Sequence, residues 1–238
     1  MQLSKRLKAI ADMVSGGNRL VDVGCDHGYI PIWLVEQGKI PGAIAMDINK
    51  GPLLRAKANI EKHGLSCYIE TRVSDGVSAL AKGEGDTLVI AGMGGPLTER
   101  ILSEGEKALK EFSEFILEPQ SEIGHMRKFL QENGYKIVEE DMVYEDGKFY
   151  PVMKVIHGGM EPLKEEAVYG PCLLRDGHPV LYEYLIRELQ VSEQLSQKLQ
   201  ALQSEGAARR YEELCLELEV IRQALHLSLI HISEPTRP

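Results

Sequence analysis

Val21-Asp22-Val23-Gly24-Cys25-Asp26-His27-Gly28-Tyr29-Ile30-Pro31 reads as a strand, a glycine turn and the start of a helix, with an acidic residue at the tip of the turn. Folds that bind dinucleotides place a pyrophosphate on the helix N-terminus, where G-x-G-x-x-G glycines let backbone amides approach it. Here the spacing is Gly24-x-x-x-Gly28, with Asp26 inside it. A carboxylate repels a pyrophosphate and attracts an ammonium or a sulfonium. S-adenosylmethionine carries both cations and no phosphate, so the turn favours it over a nicotinamide dinucleotide.

Outward from this turn, strand-like runs at Arg19 to Val23, Gly42 to Asp47, Ser66 to Val73, Thr87 to Ala91 and Glu114 to Glu118 alternate with helical stretches. The helices are expected at residues 3–14, 30–36, 52–63, 96–112 and 121–132. Such alternation predicts an α/β fold, a parallel sheet covered by helices on both faces. The rhythm changes at Ile137 to Tyr144 and Phe149 to Ile156, two strand-like runs separated by Asp146-Gly147, a strong hairpin signal. A Rossmann-like sheet ending in an antiparallel hairpin is, by fold analogy, the architecture of class I methyltransferases.

With 238 residues, the chain has room for one full domain and a smaller one. His157-Gly158-Gly159 marks a boundary, dividing a domain over residues 1–158 from a helical region over 159–226. In the latter, Ala207, Tyr211, Leu214, Leu218, Ile221 and Leu225 form a heptad seam. Leu181, Leu185, Leu189, Leu195, Leu199 and Leu202 are expected to supply a facing helix, turning back near Gly206. Residues 227–238, ending Pro235-Thr236-Arg237-Pro238, look like translated vector sequence and are expected to pack poorly.

The four cysteines lie far apart with no C-x-x-C pair, so neither a zinc site nor a disulfide framework is expected, and a reducing cytoplasm is the natural compartment. No apolar run approaches the ~20 residues that span a bilayer, and Met1 to Val14 lacks the apolar core of a signal peptide. The net charge of −9 means that a nucleic-acid partner would have to be met by local basic patches.

Asp22 leads into the turn, and Gly24 and Gly28 permit close approach of the cofactor's methionine part. Asp47 and Ile48 end the second strand about twenty residues beyond the turn, where an acidic residue hydrogen-bonds ribose hydroxyls; a helix cap is the structural alternative for Asp47. Asp75-Gly76 follows the third strand, where a carboxylate can accept from the adenine amino group, or simply form a turn. Gly92-Met93-Gly94-Gly95-Pro96 follows the fourth strand, at the carboxyl end of the sheet where ligands bind. Gly92 and Met93 are assigned to the cofactor and Gly94 to the substrate. Amino-methyltransferases of bases usually hold Asn/Asp-Pro-Pro-aromatic here, so methylation of an exocyclic amine is disfavoured. Glu118-Pro119-Gln120-Ser121 adds a polar rim with Gln120 toward the substrate; Ser121 could alternatively cap a helix.

His27 and Tyr29 flank the turn as substrate candidates, Tyr29 by stacking on a base; Trp33, inside a helix, reads as core. Methyl transfer to a neutral nitrogen needs alignment more than a strong base, which weakens an acid–base role for His27. Lys5, Arg6, Arg55, Lys57, Lys62, Arg209 and Arg210 are candidates for phosphate contacts, though most such charges form solvated faces.

Taken together, Leu3-Ser4-Lys5-Arg6-Leu7, the Asp22 to Pro31 turn, Ala91-Gly92-Met93-Gly94-Gly95 and Glu118-Pro119-Gln120 resemble the TrmK family of bacterial tRNA methyltransferases, over residues 1 to about 226. The resemblance implies a class I S-adenosylmethionine-dependent methyltransferase domain joined to a C-terminal helical, coiled-coil-like domain. It also implies a tRNA substrate methylated at N1 of adenosine 22, and importance of Asp26 for activity. No metal and no membrane are expected, and the chain is expected to be a monomer or weak homodimer. Gly28 departs from the family pattern, which has alanine there.

The implied chemistry suits these residues. N1 of neutral adenine carries a lone pair along its Watson–Crick edge and can attack a sulfonium methyl once the base is unpaired or flipped. Positive charge then develops on the adenine, and Asp26 is expected to accept a hydrogen bond from its exocyclic amine and stabilise that charge. A methyltransferase acting on a small molecule or protein, or a non-catalytic binder of S-adenosylmethionine or RNA, would use the same turns. A nicotinamide dehydrogenase is disfavoured by Asp26 and by the hairpin.

Overall fold

The computed structural model describes residues 1–202 and 204–233. The chain divides between Glu161 and Pro162 into two compact units, slightly beyond the boundary expected after residue 158.

The first unit is built on seven strands: β1 (Leu20–Val23), β2 (Ala43–Asp47), β3 (Ile69–Val73), β4 (Thr87–Met93), β5 (Glu114–Pro119), β6 (Tyr135–Glu145) and β7 (Lys148–His157). They form one sheet in the order β3-β2-β1-β4-β5-β7-β6. Strands β1 to β5 are parallel, and β7 enters antiparallel between β5 and β6. Strands β1 and β5 are buried along their whole length, as parallel strands covered on both faces must be. At the hairpin tip both Asp146 (φ 49°) and Gly147 (φ 79°) have positive φ, the requirement of the two-residue turn that matches strand twist.

Six helices cover the sheet: α1 (Lys5–Met13), α2 (Tyr29–Glu36), α3 (Lys50–Lys62), α4 (Gly95–Glu104), α5 (Glu106–Leu109) and α6 (Ile123–Glu132). The single helix expected over 96–112 is interrupted at Gly105. A Cβ there would collide with the Val77 side chain and stand 2.7 Å from the Ile101 carbonyl oxygen, so close packing decides the break. Helix α6 starts later than Ser121 because Glu122, at its N-cap, sits in the left-handed region (φ 52°); Ser121 therefore does not cap it.

Helix α1 is held at both ends. Its first amides donate to a distant carboxylate, Lys5 N and Arg6 N to Glu145 at 2.7 and 3.3 Å, and Ser4 Oγ accepts from Leu7 N. Its last carbonyls accept from two lysines, Lys39 Nζ on Ala11 and Asp12 and Lys154 Nζ on Met13. Negative charge at the N-terminus and positive charge at the C-terminus both complement the helix dipole.

The second unit begins at Pro162, with a 3-10 turn over Glu165–Tyr169, then α7 (Pro171–Arg175), α8 (Pro179–Gln200) and α9 (Glu205–Ser233). Helices α8 and α9 form a hairpin, bridged by Arg222–Glu193 at 3.1 Å and Gln200–Tyr211 at 2.6 Å. The expected seam on α9 is buried: Ala207, Leu214, Leu218, Ile221 and Leu225 are covered and Tyr211 is half-buried. The facing set is corrected. Leu181 and Leu185 are fully buried, but Leu195 (38% exposed) and Leu202 (59%) point to solvent. From Leu185 the buried line runs through half-buried Leu189, Ser192, Ser196 and Leu199, because a 3.6-residue turn carries position 195 off the seam.

The end expected at 226 is also corrected. Helix α9 continues through Ser233 with Ser228 buried, since no breaker occurs before Pro235. Leu229 and Ile230 are exposed. The remainder of the expected loosely packed tail, residues 234–238, lies outside the described residues.

An ion pair inside the first unit joins α6 to the hairpin: Arg127 Nε lies 2.8 Å from Glu140 Oε1, with side-chain exposures of 2% and 0%. Removing one partner of a buried pair strands the other charge. Glu140→Ala is therefore expected to destabilise the protein by about 3–5 kcal/mol, measured by urea denaturation, with Arg127→Met/Glu140→Leu recovering most of the loss.

Candidate active site

The carboxyl ends of β1, β2, β4 and β5 converge on one side of the sheet. After Val23 the chain turns through Gly24 (φ 78°), Asp26 (φ 42°) and Gly28 (φ 68°) before α2 begins. Amides of Gly24 and Cys25 donate to the Met46 carbonyl at 2.9 and 3.0 Å, tying the turn to β2. A Cβ on Gly24 would collide with Met93 Cε, so the turn after β1 touches the end of β4 there. Gly28 faces α3, where an added Cβ would lie 3.4 Å from that of Ala56.

Asp22 is 3% exposed. Burial, and secondarily the charge of Asp47, push its acid up to about 7. Among the described residues no side chain pairs with Asp22, whereas Asp47 accepts the Asn49 amide at 2.8 Å. Beside Asp47, Ile48 is 58% exposed. Burial first, then Asp22 and Asp47, raise the Cys25 thiol far above its ordinary range, which removes it as a nucleophile. This end of the sheet thus combines the unpaired acid of Asp22 with an exposed apolar side chain, a set suited to a cationic ligand carrying a flat ring.

Asp26 is different in kind. Its carboxylate is 61% exposed, 2.8 Å from Arg55 Nη2 and 3.6 Å from His27 Nε2. A left-handed non-glycine residue is sparsely populated and is held by its surroundings. Here those surroundings are Arg55 and Asn59 of α3, the latter donating to the His27 carbonyl at 3.0 Å. The His27 ring stacks on Tyr29 at 5.1 Å and 6°, and Tyr29 is 39% exposed, leaving an aromatic face beside the carboxylate.

On the β4 side, Gly92 (φ 77°) donates its amide to Glu118 Oε2 at 2.8 Å. Gln120 donates its backbone amide to the Met93 carbonyl and its side chain to Glu118 Oε1. Gly94 and Gly95 pass close under the next loop; a Cβ on them would stand 3.0 Å from Ser121 Oγ and 2.7 Å from Ser121 O. Glu118 is 1% exposed, and burial pushes its acid up to about 7 despite Arg6, the Gly92 amide and Gln120. Arg6 lies 3.7 Å from Glu118 and over the Tyr150 ring at 5.2 Å.

Other sequence candidates fall elsewhere or take other partners. Asp75 pairs with Arg100 at 2.9 Å and Gly76 packs against Ile101 of α4; the neighbouring Ser74 amide ties this turn to the Asp47 carbonyl. Trp33 packs against the core. Lys5 is exposed. Arg210, a phosphate candidate, is engaged by Glu213 and Glu217. The Arg55–Asp26 partnership was missed; the signal was the shared helical face of Arg55, Ala56 and Asn59. Among the described residues no group of three or more His, Cys, Asp or Glu is arranged to hold a metal, and no helix is long and apolar enough to cross a membrane.

Comparison with known proteins agrees with this geometry. The methyltransferase domain family matches residues 3–153. A Bacillus subtilis tRNA (adenine(22)-N(1))-methyltransferase is 33% identical over 94% of this chain and 98% of its own. A Streptococcus pneumoniae protein solved in complex with S-adenosyl-L-methionine superposes with a TM-score of 0.85 at 36% identity, covering 94% of this chain and all of that one. M. capricolum TrmK, solved with S-adenosyl-homocysteine, gives a TM-score of 0.83 at 26% identity over 95% of this chain and 99% of its own. Strand order, turn geometry and full-length similarity together establish that the chain belongs to the TrmK family of tRNA methyltransferases.

Proposed function

We propose that this protein transfers a methyl group from S-adenosylmethionine to N1 of adenosine 22 in tRNA. The observation that carries this is the buried, unpaired acid of Asp22, with half-buried Asp47 at the adjacent strand end, beneath a glycine turn, in a chain whose relatives act on that nucleotide. The cofactor supplies an electrophilic methyl on a sulfonium. Gly24, Gly28, Gly92 and Met93 would line its methionine end, Asp22 facing its cationic groups. Asp47 would take the ribose hydroxyls, Ile48 the adenine face, and Asp75-Gly76 the adenine edge.

Asp26 accepts from the exocyclic amine of the target adenine and stabilises the positive charge that develops on the ring. Arg55 and the left-handed backbone aim it, and the His27–Tyr29 stack offers a face for the extruded base. Gly94 and Gln120 border the target. Lys5 and Arg6 on α1, with Lys57 and Lys62 on α3, take phosphates; these two helices concentrate basic side chains in a chain of net charge −9. The helical unit grips the tRNA body, and the enzyme works in the cytoplasm as a monomer or weak homodimer.

Transfer of radiolabelled methyl to unmodified tRNA transcripts tests the activity: label is expected with adenosine at position 22 and not with guanosine there. Asp26→Asn should lower kcat/KM for tRNA by about 100-fold while cofactor affinity, read by calorimetry, stays within about threefold.

Asp22 gives a pH signature. Its ionised form faces the cofactor, so affinity for S-adenosylmethionine should decline as pH falls through about 7, and Asp22→Asn should bind weakly with a flat profile. Because the folded acid titrates above its ordinary 3.8, ionising it costs stability increasingly as pH rises from about 4 to 7 and fully above that. Asp22→Asn should therefore melt several degrees higher than the parent at about pH 8 without cofactor, an advantage that vanishes near pH 4.

A further inference from the structure

We infer that the buried carboxylate of Glu118 is a positioning residue for methyl transfer, anchoring Gly92 beneath the site and holding the Arg6 guanidinium toward the incoming nucleotide. The inference rests on the tRNA-methyltransferase reading of the site. Glu118 is the penultimate residue of β5 with no side-chain exposure, and a carboxylate so placed depends on partners to carry its charge. Its partners come from three separate elements. Oε2 accepts the Gly92 amide of the β4 turn at 2.8 Å, Oε1 accepts the Gln120 side chain, and Arg6 Nη1 of α1 stands 3.7 Å away.

The first partner places the floor of the site. Gly92 is in the left-handed region (φ 77°), and the next residue, Met93, is the one that touches Gly24 across the sheet. Anchoring the Gly92 amide thus sets where the β4 turn meets the β1 turn.

The third partner faces the substrate. Arg6 is 29% exposed, lies over the Tyr150 ring, and its Nη1 is 3.9 Å from where a Cβ on Gly92 would stand. A guanidinium has five N–H donors. At 3.7 Å the Glu118 contact is an ionic one, longer than a hydrogen bond, so charge and ring hold the group while its donor fork stays open to an oxygen acceptor. A phosphate flanking the target nucleotide is the acceptor whose geometry fits that fork. The backbone of α1 is fixed independently by Glu145, Lys39 and Lys154, so loss of the Glu118 charge would release the Arg6 side chain and leave the helix in place.

The test is steady-state methyl transfer to the adenosine-22 transcript at about pH 8, above the raised range of the Glu118 acid, where its charge is present. Glu118→Gln keeps the shape and an acceptor for the Gly92 amide but removes the charge that holds Arg6. Its loss is expected mainly as a roughly tenfold rise in KM for tRNA, greater than any fall in kcat, with S-adenosylmethionine affinity and melting temperature close to those of the parent. Glu118→Ala, which also frees Gly92, should lower kcat in addition. Arg6→Gln should raise KM about as much as Glu118→Gln, and the double variant no further, since both act through one guanidinium. Arg6→Gln lies at the rim and keeps the test open should a Glu118 variant fold poorly. Unchanged tRNA KM in folded Glu118→Gln, or independent, multiplying effects of the two substitutions, would overturn the inference while the function stands. A parent protein that binds S-adenosylmethionine and labels neither transcript would instead sink the function, and this inference with it.

Discussion

A carboxylate buried without a side-chain partner, with a second, half-buried one at the adjacent strand end, is the constraint from which the site follows. Parallel pairing of β1 and β2 places Asp22 opposite Ala45 and leaves Asp47 just beyond the paired segment, and helices on both faces keep water from Asp22. Burial alone already favours the protonated acid of Asp22, and the charge of Asp47 adds to that. A cation relieves both penalties at once. A pyrophosphate would add to them, which is why a sheet otherwise able to hold a dinucleotide is matched to a sulfonium cofactor.

The remainder of the first unit holds this pocket and its rim still. Helix α3 stands behind the turn, with Ala56 against Gly28, Asn59 on the His27 carbonyl and Arg55 on Asp26. Helix α1 is pinned at its N-terminus by a carboxylate and at its C-terminus by two ammonium groups, all from elsewhere in the chain. The glycines at 92, 94 and 95 let the β4 turn run close to Glu118 and Ser121. Alignment of a nucleophile with a methyl group asks for rigidity of this kind more than for a strong base. The inert Cys25 thiol is consistent with that demand.

Basic side chains follow a similar division of labour. In the helical unit, Arg210 and Arg222 are spent on neighbouring glutamates, which secures the hairpin's surface but leaves less charge for a polyanion. On α1 and α3, Arg6 and Arg55 stand beside site carboxylates, Glu118 and Asp26. An acidic protein can thus meet nucleic acid through a small, well-placed set of cations.

Much of this was legible from residue order alone. Period-two and period-3.6 patterns gave all seven strands and the helices between them, Asp146-Gly147 located the hairpin, and Asp26 inside the glycine turn selected the cofactor class. Local backbone preference and hydrophobic periodicity act over a few residues, so they are written locally. What required the fold were contacts between residues distant in sequence. These include the break at Gly105 against Val77, the departure of Leu195 from the seam, the Arg55–Asp26 pair, the elevated acids of Asp22 and Glu118, and the reach of Arg6 to the end of β5. Burial and charge proximity are properties of a place in three dimensions. The sequence by itself determined which groups were available and the architecture that carries them, while tertiary packing alone decided which were dried, paired and aimed.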